Sequence, residues 1–212
     1  MQIDIHHQSF ILSPAKILFW INKKWLIISD AHFAKETHFR KNGIAVPAGI
    51  LQTDLKKIDR LISQFNPVAI LFLGDMFHSE ENEGLHEFMH WRKKQFIEIH
   101  LVIGNHDVLS KEWYTFANVI LHEHIYQSGP ILFSHEKLVI DDEGIYNFSG
   151  HIHPCIRMYG KAKQSLRMPC FWLGKQHGIL PAFGSFTGTK SIKPNQEDQI
   201  FAIGDNEIFK LQ

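Results

Sequence analysis

Apolar and polar positions change their period several times along the 212 residues. Between residues 3 and 20 the apolar positions fall in short runs, 3–5, 9–12 and 15–20, which read as strands. Asn22, Lys23 and Lys24 make a polar hairpin turn into the run Trp25-Leu26-Ile27-Ile28-Ser29. Residues 33–46 show no periodicity and read as a long connection, of the kind that is usually functional or mobile. Leu51, Leu55, Ile58, Ile62 and Phe65 then recur at three-four spacing, predicting an amphipathic helix that starts at Pro47 and stops at Asn66-Pro67. Residues 68–73 are apolar throughout and complete a β-α-β unit. A second helix is expected over 85–96, with Leu85, Phe88, Met89 and Phe96 inward and Arg92-Lys93-Lys94 in solvent, followed by a strand over 98–103. Short apolar runs at 119–121, 131–133, 138–140 and 145–148 suggest a more antiparallel second half, ending in strand-like runs at 199–203 and 207–211. With no internal repeat, low-complexity tract or linker, one domain over residues 1–212 is the simplest account.

The polar residues that close the apolar runs carry the chemistry. Run 25–29 ends in Asp30-Ala31-His32, and run 68–73 in Gly74-Asp75-Met76-Phe77-His78. Run 98–103 ends in Gly104-Asn105-His106-Asp107, run 131–133 in Ser134-His135-Glu136, and run 145–148 leads to Gly150-His151-Ile152-His153. Ligand sites in α/β sheets collect at the carboxyl ends of strands. In an extended segment, positions i and i+2 face one way, so Asp30 should converge with His32 and His151 with His153. Asn105 and His106 can serve one site only if Gly104 turns the backbone.

Asp30, His32, Asp75, Asn105, His135, His151 and His153 exceed what one tetrahedral ion needs, and two ions sharing a carboxylate is the economical arrangement. Carboxylate, amide and imidazole donors without thiolate suit manganese foremost, with Fe, Zn, Co or Ni as alternatives. Two such ions clamp an in-line displacement at phosphorus: a bridging water loses its proton and the cations neutralise the phosphoryl oxygens. His106 is then the spare imidazole that protonates the leaving oxygen, and Asp107 the carboxylate that holds its tautomer.

Composition adds one unusual number, 15 histidines. Lysine plus arginine equal aspartate plus glutamate at 22 each, so no overall basic excess announces nucleic-acid binding. Local clusters (Lys35, Arg40 and Lys41; Lys161, Lys163 and Arg167) are the candidates for holding phosphate. Cys155 and Cys170 read as reduced and structural. No run approaches the ~20 residues of a membrane span and no signal peptide is evident, so a cytoplasmic protein without membrane partners is expected.

Asp30-Ala31-His32, Gly74-Asp75, Gly104-Asn105-His106-Asp107, His135 and Gly150-His151-Ile152-His153 together resemble the ordered motif set of the calcineurin-like metallophosphoesterases. The resemblance implies an α/β fold in which two mixed β-sheets pack as a sandwich flanked by helices, in four layers α/β/β/α. It also implies that Asp30, His32, Asp75 and His153 hold one metal, and Asp75, Asn105, His135 and His151 the other. A narrower likeness rests on Lys35, Phe39-Arg40, Gly43, Val46-Pro47, His78, Ser134-His135-Glu136, Met168 to Gly174 and Leu180 to Gly188. These resemble the bacterial DNA-ligase-associated metallophosphoesterases, described as DNA-damage-response endonucleases that accompany a ligase, a helicase and an exonuclease. Lys35, Arg40 and His78 become substrate-binding candidates on this resemblance. The same chemistry on a small phosphate ester or nucleotide is the alternative. A non-catalytic protein-binding scaffold is a third reading, which the presence of His106 disfavours.

Overall fold

The computed structural model describes residues 1–41, 43–78, 83–160 and 164–212, without the side chains of His38 and Lys41. Lys161 and Lys163, named above as part of a basic cluster, lie outside the described residues.

Strands β1 (Gln2–Ile5), β2 (Gln8–Ser13), β3 (Ile17–Trp20) and β4 (Trp25–Ile28) form an antiparallel meander. The chain then alternates: α1 (Lys35–Lys41), α2 (Ile50–Phe65), β5 (Ala69–Leu73), α3 (Glu83–Arg92), β6 (Glu98–Val102), α4 (Lys111–Phe116) and β7 (Val119–His122). Here β4, β5, β6 and β7 pair in parallel, completing a seven-stranded sheet in sequence order. The second sheet contains β8 (Ile125–Ser128), β9 (Ile131–Ser134), β10 (Tyr146–Ser149), β11 (Pro154–Tyr159), β12 (Ser165–Leu173), β13 (His177–Ile179) and β14 (Lys190–Ser191), with β15 (Gln199–Ile203) and β16 (Ile208–Lys210) attached through β12. It is mixed and more antiparallel than the first: β10 runs parallel to β9 and β13, and β11 to β14, while the other pairings are antiparallel.

Period-two alternation explains how the first sheet is buried on both faces. Leu26, Ile28, Ile70 and Phe72 face a core closed by Leu51, Leu55, Ile58 and Leu61 of α2 and by α3 and α4. The intervening Trp25, Ile27, Leu71 and Leu73 face Phe133, Phe148 and Phe171 of the second sheet. Each fully buried aliphatic side chain on α2 contributes about 2 kcal/mol, which fixes the helix against the sheet. The two mixed sheets thus pack as the expected sandwich, and the described helices α2, α3 and α4 flank the outer face of the first sheet.

Several expectations need correction. Helix α2 begins three residues after Pro47, preceded by Gly49 in the left-handed region (φ 85°), and ends on left-handed Asn66 (φ 45°). Its N-terminal amide at Leu51 donates to the buried Glu36 Oε1 (2.8 Å), which comes from the supposed loop: residues Lys35–Lys41 are helical. The second helix stops at Arg92, leaving Phe96 fully exposed. Arg92 is buried because its guanidinium donates to the carbonyls of Ala117, Asn118 and Gln95, which caps α4. Residues 138–140 form no strand; Val139 is 92% exposed.

Candidate metal centre

Every proposed ligand follows the carboxyl end of a parallel strand: Asp30 and His32 follow β4, Asp75 β5, Asn105 β6, His135 β9, and His151 and His153 β10. Those ends lie together, and the loops leaving them are tied to one another. The Asp30 and His32 amides donate to the carbonyls of Gly74 (3.3 Å) and Asp75 (2.8 Å), and the Gly150 amide donates to the His135 carbonyl (2.9 Å).

The convergence does not come from extended backbone. Asp30 (φ 50°), His32 (φ 46°), Asp75 (φ 50°), His151 (φ 66°) and His153 (φ 52°) all occupy the left-handed region. For residues with a Cβ this costs about 1–2 kcal/mol each, a strain that clusters at functional sites. Two glycines allow the carboxylates to sit where they do. A Cβ on Gly104 would fall on the backbone and carboxylate of Asp75, so this residue is needed for close approach rather than for a turn. A Cβ on Gly150 would strike Asp30 Oδ2.

Two clusters result, Asp30 with His32 and His153, and Asp75 with His135 and His151, each with donor atoms within 4.8 Å of one another. Asp75 faces both: its Oδ2 lies 3.7 Å from His32 Nε2 and its Oδ1 3.5 Å from His135 Nε2. Asn105 joins the second cluster, with Oδ1 2.9 Å from His135 Nε2. Asp30 Oδ1 lies 3.3 Å from His153 Nε2.

The donor chemistry fits cations. His135 Nδ1 donates to the Leu73 carbonyl (2.9 Å), which leaves a lone pair on Nε2. That lone pair meets the Asn105 amide oxygen and an Asp75 carboxylate oxygen, with His151 Nδ1 3.0 Å away. A lone pair and two oxygen acceptors crowded this closely repel unless a positive ion lies among them. His153 repeats the arrangement, with Nδ1 donating to the Gly188 carbonyl (3.0 Å) and Nε2 turned to Asp30. Burial, reinforced by Lys35, holds the His32 imidazole down to about 3, so it stays neutral as a ligand must. At His153 burial opposes the charge, but the hydrogen bond and attraction of Asp30 outweigh it and the pKa is raised. Asp30 is correspondingly lowered: burial works against ionisation and the bond to His153 overcomes it.

The half-buried His106 ring lies 5.5 Å from the His32 ring and 4.9 Å from the His78 ring, beside the first cluster. His78 Nδ1 is 3.3 Å from His32 Nδ1. Asp107 does not hold the His106 imidazole. Its carboxylate accepts the amides of Gly104 (2.9 Å), Met76 (2.9 Å) and Phe77 (3.2 Å) and the Tyr114 hydroxyl (3.4 Å), locking the loop after β5 to the loop after β6. Burial pushes its pKa up to about 6. Lys35 is half-buried and its ammonium feels Asp75, although burial dominates and lowers its pKa. Arg40 is exposed, with a bond to Thr37 on its own helix, and is not drawn to either cluster among the described residues.

Residues 181–188 acquire a physical role that their spacing did not disclose. The Phe183 and Gly184 amides donate to the carbonyls of Ser29 (2.9 Å) and Asp30 (3.2 Å), and the Gly188 carbonyl orients His153. Ser185 donates from its amide (3.1 Å) and hydroxyl (2.5 Å) to Asp54 on the buried face of α2. This strap braces the ligands of the first cluster from behind. A carboxylate on an otherwise apolar helix face was the available sign.

The sandwich and its paired clusters define a metal-dependent phosphoesterase. Residues 23–158 match the calcineurin-like phosphoesterase family, and the chain belongs to it. No curated protein matches the chain by sequence. Among solved structures it is similar to the nuclease MPE of Pseudomonas putida, at 25% identity and TM-score 0.84 over 100% of this chain and 99% of that one. A phosphoesterase of E. coli aligns at 14% identity and TM-score 0.46, over 87% of this chain and 95% of that one. Among the described residues no helix is long and apolar enough to cross a membrane.

Proposed function

We propose that the chain is a phosphodiesterase that cleaves DNA internally, in the cytoplasm and in the service of DNA repair, with manganese as its metal. The observation that carries this reading is Asp75, a single buried carboxylate turned toward both clusters. Asp30, His32, Asp75 and His153 would hold one ion, and Asp75, Asn105, His135 and His151 the other. Two divalent ions held there would supply an activated water and neutralise charge on the phosphoryl oxygens.

The chain's own residues do the rest. His106 delivers a proton to the leaving oxygen, for which it is held beside the first cluster by the hydrogen bond its backbone N–H donates to Asp75 Oδ1 (2.9 Å). Asp107 is a positioning residue that keeps the loops of Asp75 and His106 in fixed relation. Lys35 and His78 orient the phosphate, and Arg40 contacts the substrate farther out. Likeness to the P. putida nuclease along the whole chain supports a nucleic-acid substrate. A ligase, a helicase and an exonuclease are proposed as functional companions on the resemblance of the motifs.

The test is turnover of a chromogenic phosphodiester against its monoester by manganese-loaded protein, followed by closed circular DNA. Diester preference with cutting of circles, which have no ends, is the expected result. Monoester preference would move the chain to small phosphate esters.

A further inference from the structure

Balanced overall charge conceals a strong segregation. Residues 144–196 contain no aspartate or glutamate but seven lysines and arginines, so the remainder of this net-neutral chain carries the compensating negative charge. The described part of this segment that projects from the metal centre is the β11–β12 hairpin. Strand β11 starts at Pro154, next to His153, and the His153 carbonyl accepts the Lys190 amide (2.9 Å). The base of the hairpin is therefore the loop that bears a metal ligand.

The antiparallel register sets Arg157 directly opposite Arg167. Like charges in that position repel and destabilise a sheet. Both side chains are exposed, and neither guanidinium takes part in the ion pairs or hydrogen bonds of the described residues. Alternation along the strand puts Tyr159, 76% exposed, on the same face as Arg157. Two unneutralised guanidiniums beside an exposed aromatic ring, on a ribbon without carboxylates, match the chemistry of a polyanion with stacking bases. Pro154 to Arg157 spans about 10 Å at 3.3 Å per residue. That is about three nucleotides at the 3.4 Å rise of a stacked strand.

We infer that the β11–β12 hairpin is the grip on the nucleic-acid strand, with Arg157 and Arg167 holding backbone phosphates a few nucleotides from the scissile bond and Tyr159 stacking on an unpaired base. This inference rests on the nuclease reading above. It places the strand along β11.

The experiment uses the full-length manganese-loaded protein, wild type and the double variant Arg157→Ala, Arg167→Ala, with three readouts. These are turnover of a small chromogenic phosphodiester, affinity for a single-stranded oligonucleotide, and the salt dependence of that affinity. A small diester cannot reach the hairpin, so its turnover reports an intact centre. The expected result is unchanged small-diester turnover, at least tenfold weaker oligonucleotide binding, and a log–log salt slope shallower by about 1.4, at ~0.7 per lost phosphate contact. The charge-keeping pair Arg157→Lys, Arg167→Lys should retain the slope. Wild-type affinity and slope in the alanine variant, with wild type cleaving normally, would overturn the inference alone. Loss of small-diester turnover would also overturn it, by making the arginines props of the His153 loop. If wild type hydrolyses the small diester but binds no oligonucleotide, the nuclease reading falls and takes the inference with it.

Discussion

Asp75 Oδ1 accepts the backbone N–H of His106 at 2.9 Å, so the carboxylate that faces both metal clusters also fixes the loop carrying the proposed acid. One side chain thus couples the two functions, holding ions and aiming a proton donor. Replacing it with a neutral isostere separates charge from shape. Asp75→Asn should empty both clusters, read by elemental analysis, while leaving the fold intact by circular dichroism. Full occupancy in the variant would show that the two clusters do not depend on this carboxylate.

His106 contributes no donor to either cluster, so its removal should spare the metals. With His106→Ala, turnover of diesters with poor leaving groups should fall about 10²–10⁴-fold, the usual worth of a positioned acid. A nitrophenolate leaving group needs little protonation and should be nearly unaffected. Equal losses on both substrate types would remove His106 from the proton transfer.

Gly150→Ala places a methyl group against Asp30 Oδ2 and 2.7 Å from Ser29 Cβ. Neither can yield, since both are buried and Asp30 also accepts the His151 amide at 2.9 Å. The expected cost is about 1–3 kcal/mol. A lower denaturation midpoint together with weaker metal retention in the Asp30 cluster is the predicted pair of effects, and loss of stability alone would separate Gly150 from the metal loop.

Lys57, on α2, has its Nζ 3.9 Å from the centroid of the Phe183 ring, with Lys16 and Asp54 as charged neighbours. Burial first, then repulsion from Lys16, lowers its pKa from 10.5 to about 8, with Asp54 acting in opposition. Below pH 8 both folded and unfolded chains carry the proton, and the folded state bears the penalty of a buried charge. Between about 8 and 10.5 the unfolded chain binds more protons, so this group's contribution to stability rises with pH and is lost as pH falls through 8. Lys57→Met should raise stability near pH 7 by on the order of 1 kcal/mol, because solvent screens part of the penalty on this half-buried ammonium. It should also flatten the alkaline rise. Denaturant titrations at pH 7, 8.5 and 9.5 measure both.

Much of this was legible along the chain because it is local. Helix α2 announces itself through Leu51, Leu55 and Ile58, since a period near 3.6 must place those residues on one face. Each ligand directly follows an apolar run, and a strand's direction dictates where its end lies. Phe96 reads as inward in the sequence because apolar character alone does not show that the helix ends at Arg92, whose guanidinium turns back to cap α4. The run at residues 138–140 resembles a strand in composition, yet its Leu138 amide donates to Asn147 Oδ1 instead of to a ladder.

By itself, then, the amino-acid order determined which side chains stand at the five strand ends and what kind of chemistry their donors suit. Tertiary structure alone decided how they meet. Left-handed backbone at Asp30, His32, Asp75, His151 and His153 is paid for by contacts among loops distant in sequence, and no local pattern reports such contacts. The same reason hid the role of Asp107, whose partners include amides 30 and 31 residues away, and of the 181–188 strap, which touches Ser29, Asp30 and Asp54 across the fold. It also hid Arg157 facing Arg167, a juxtaposition that exists only in the register of a hairpin.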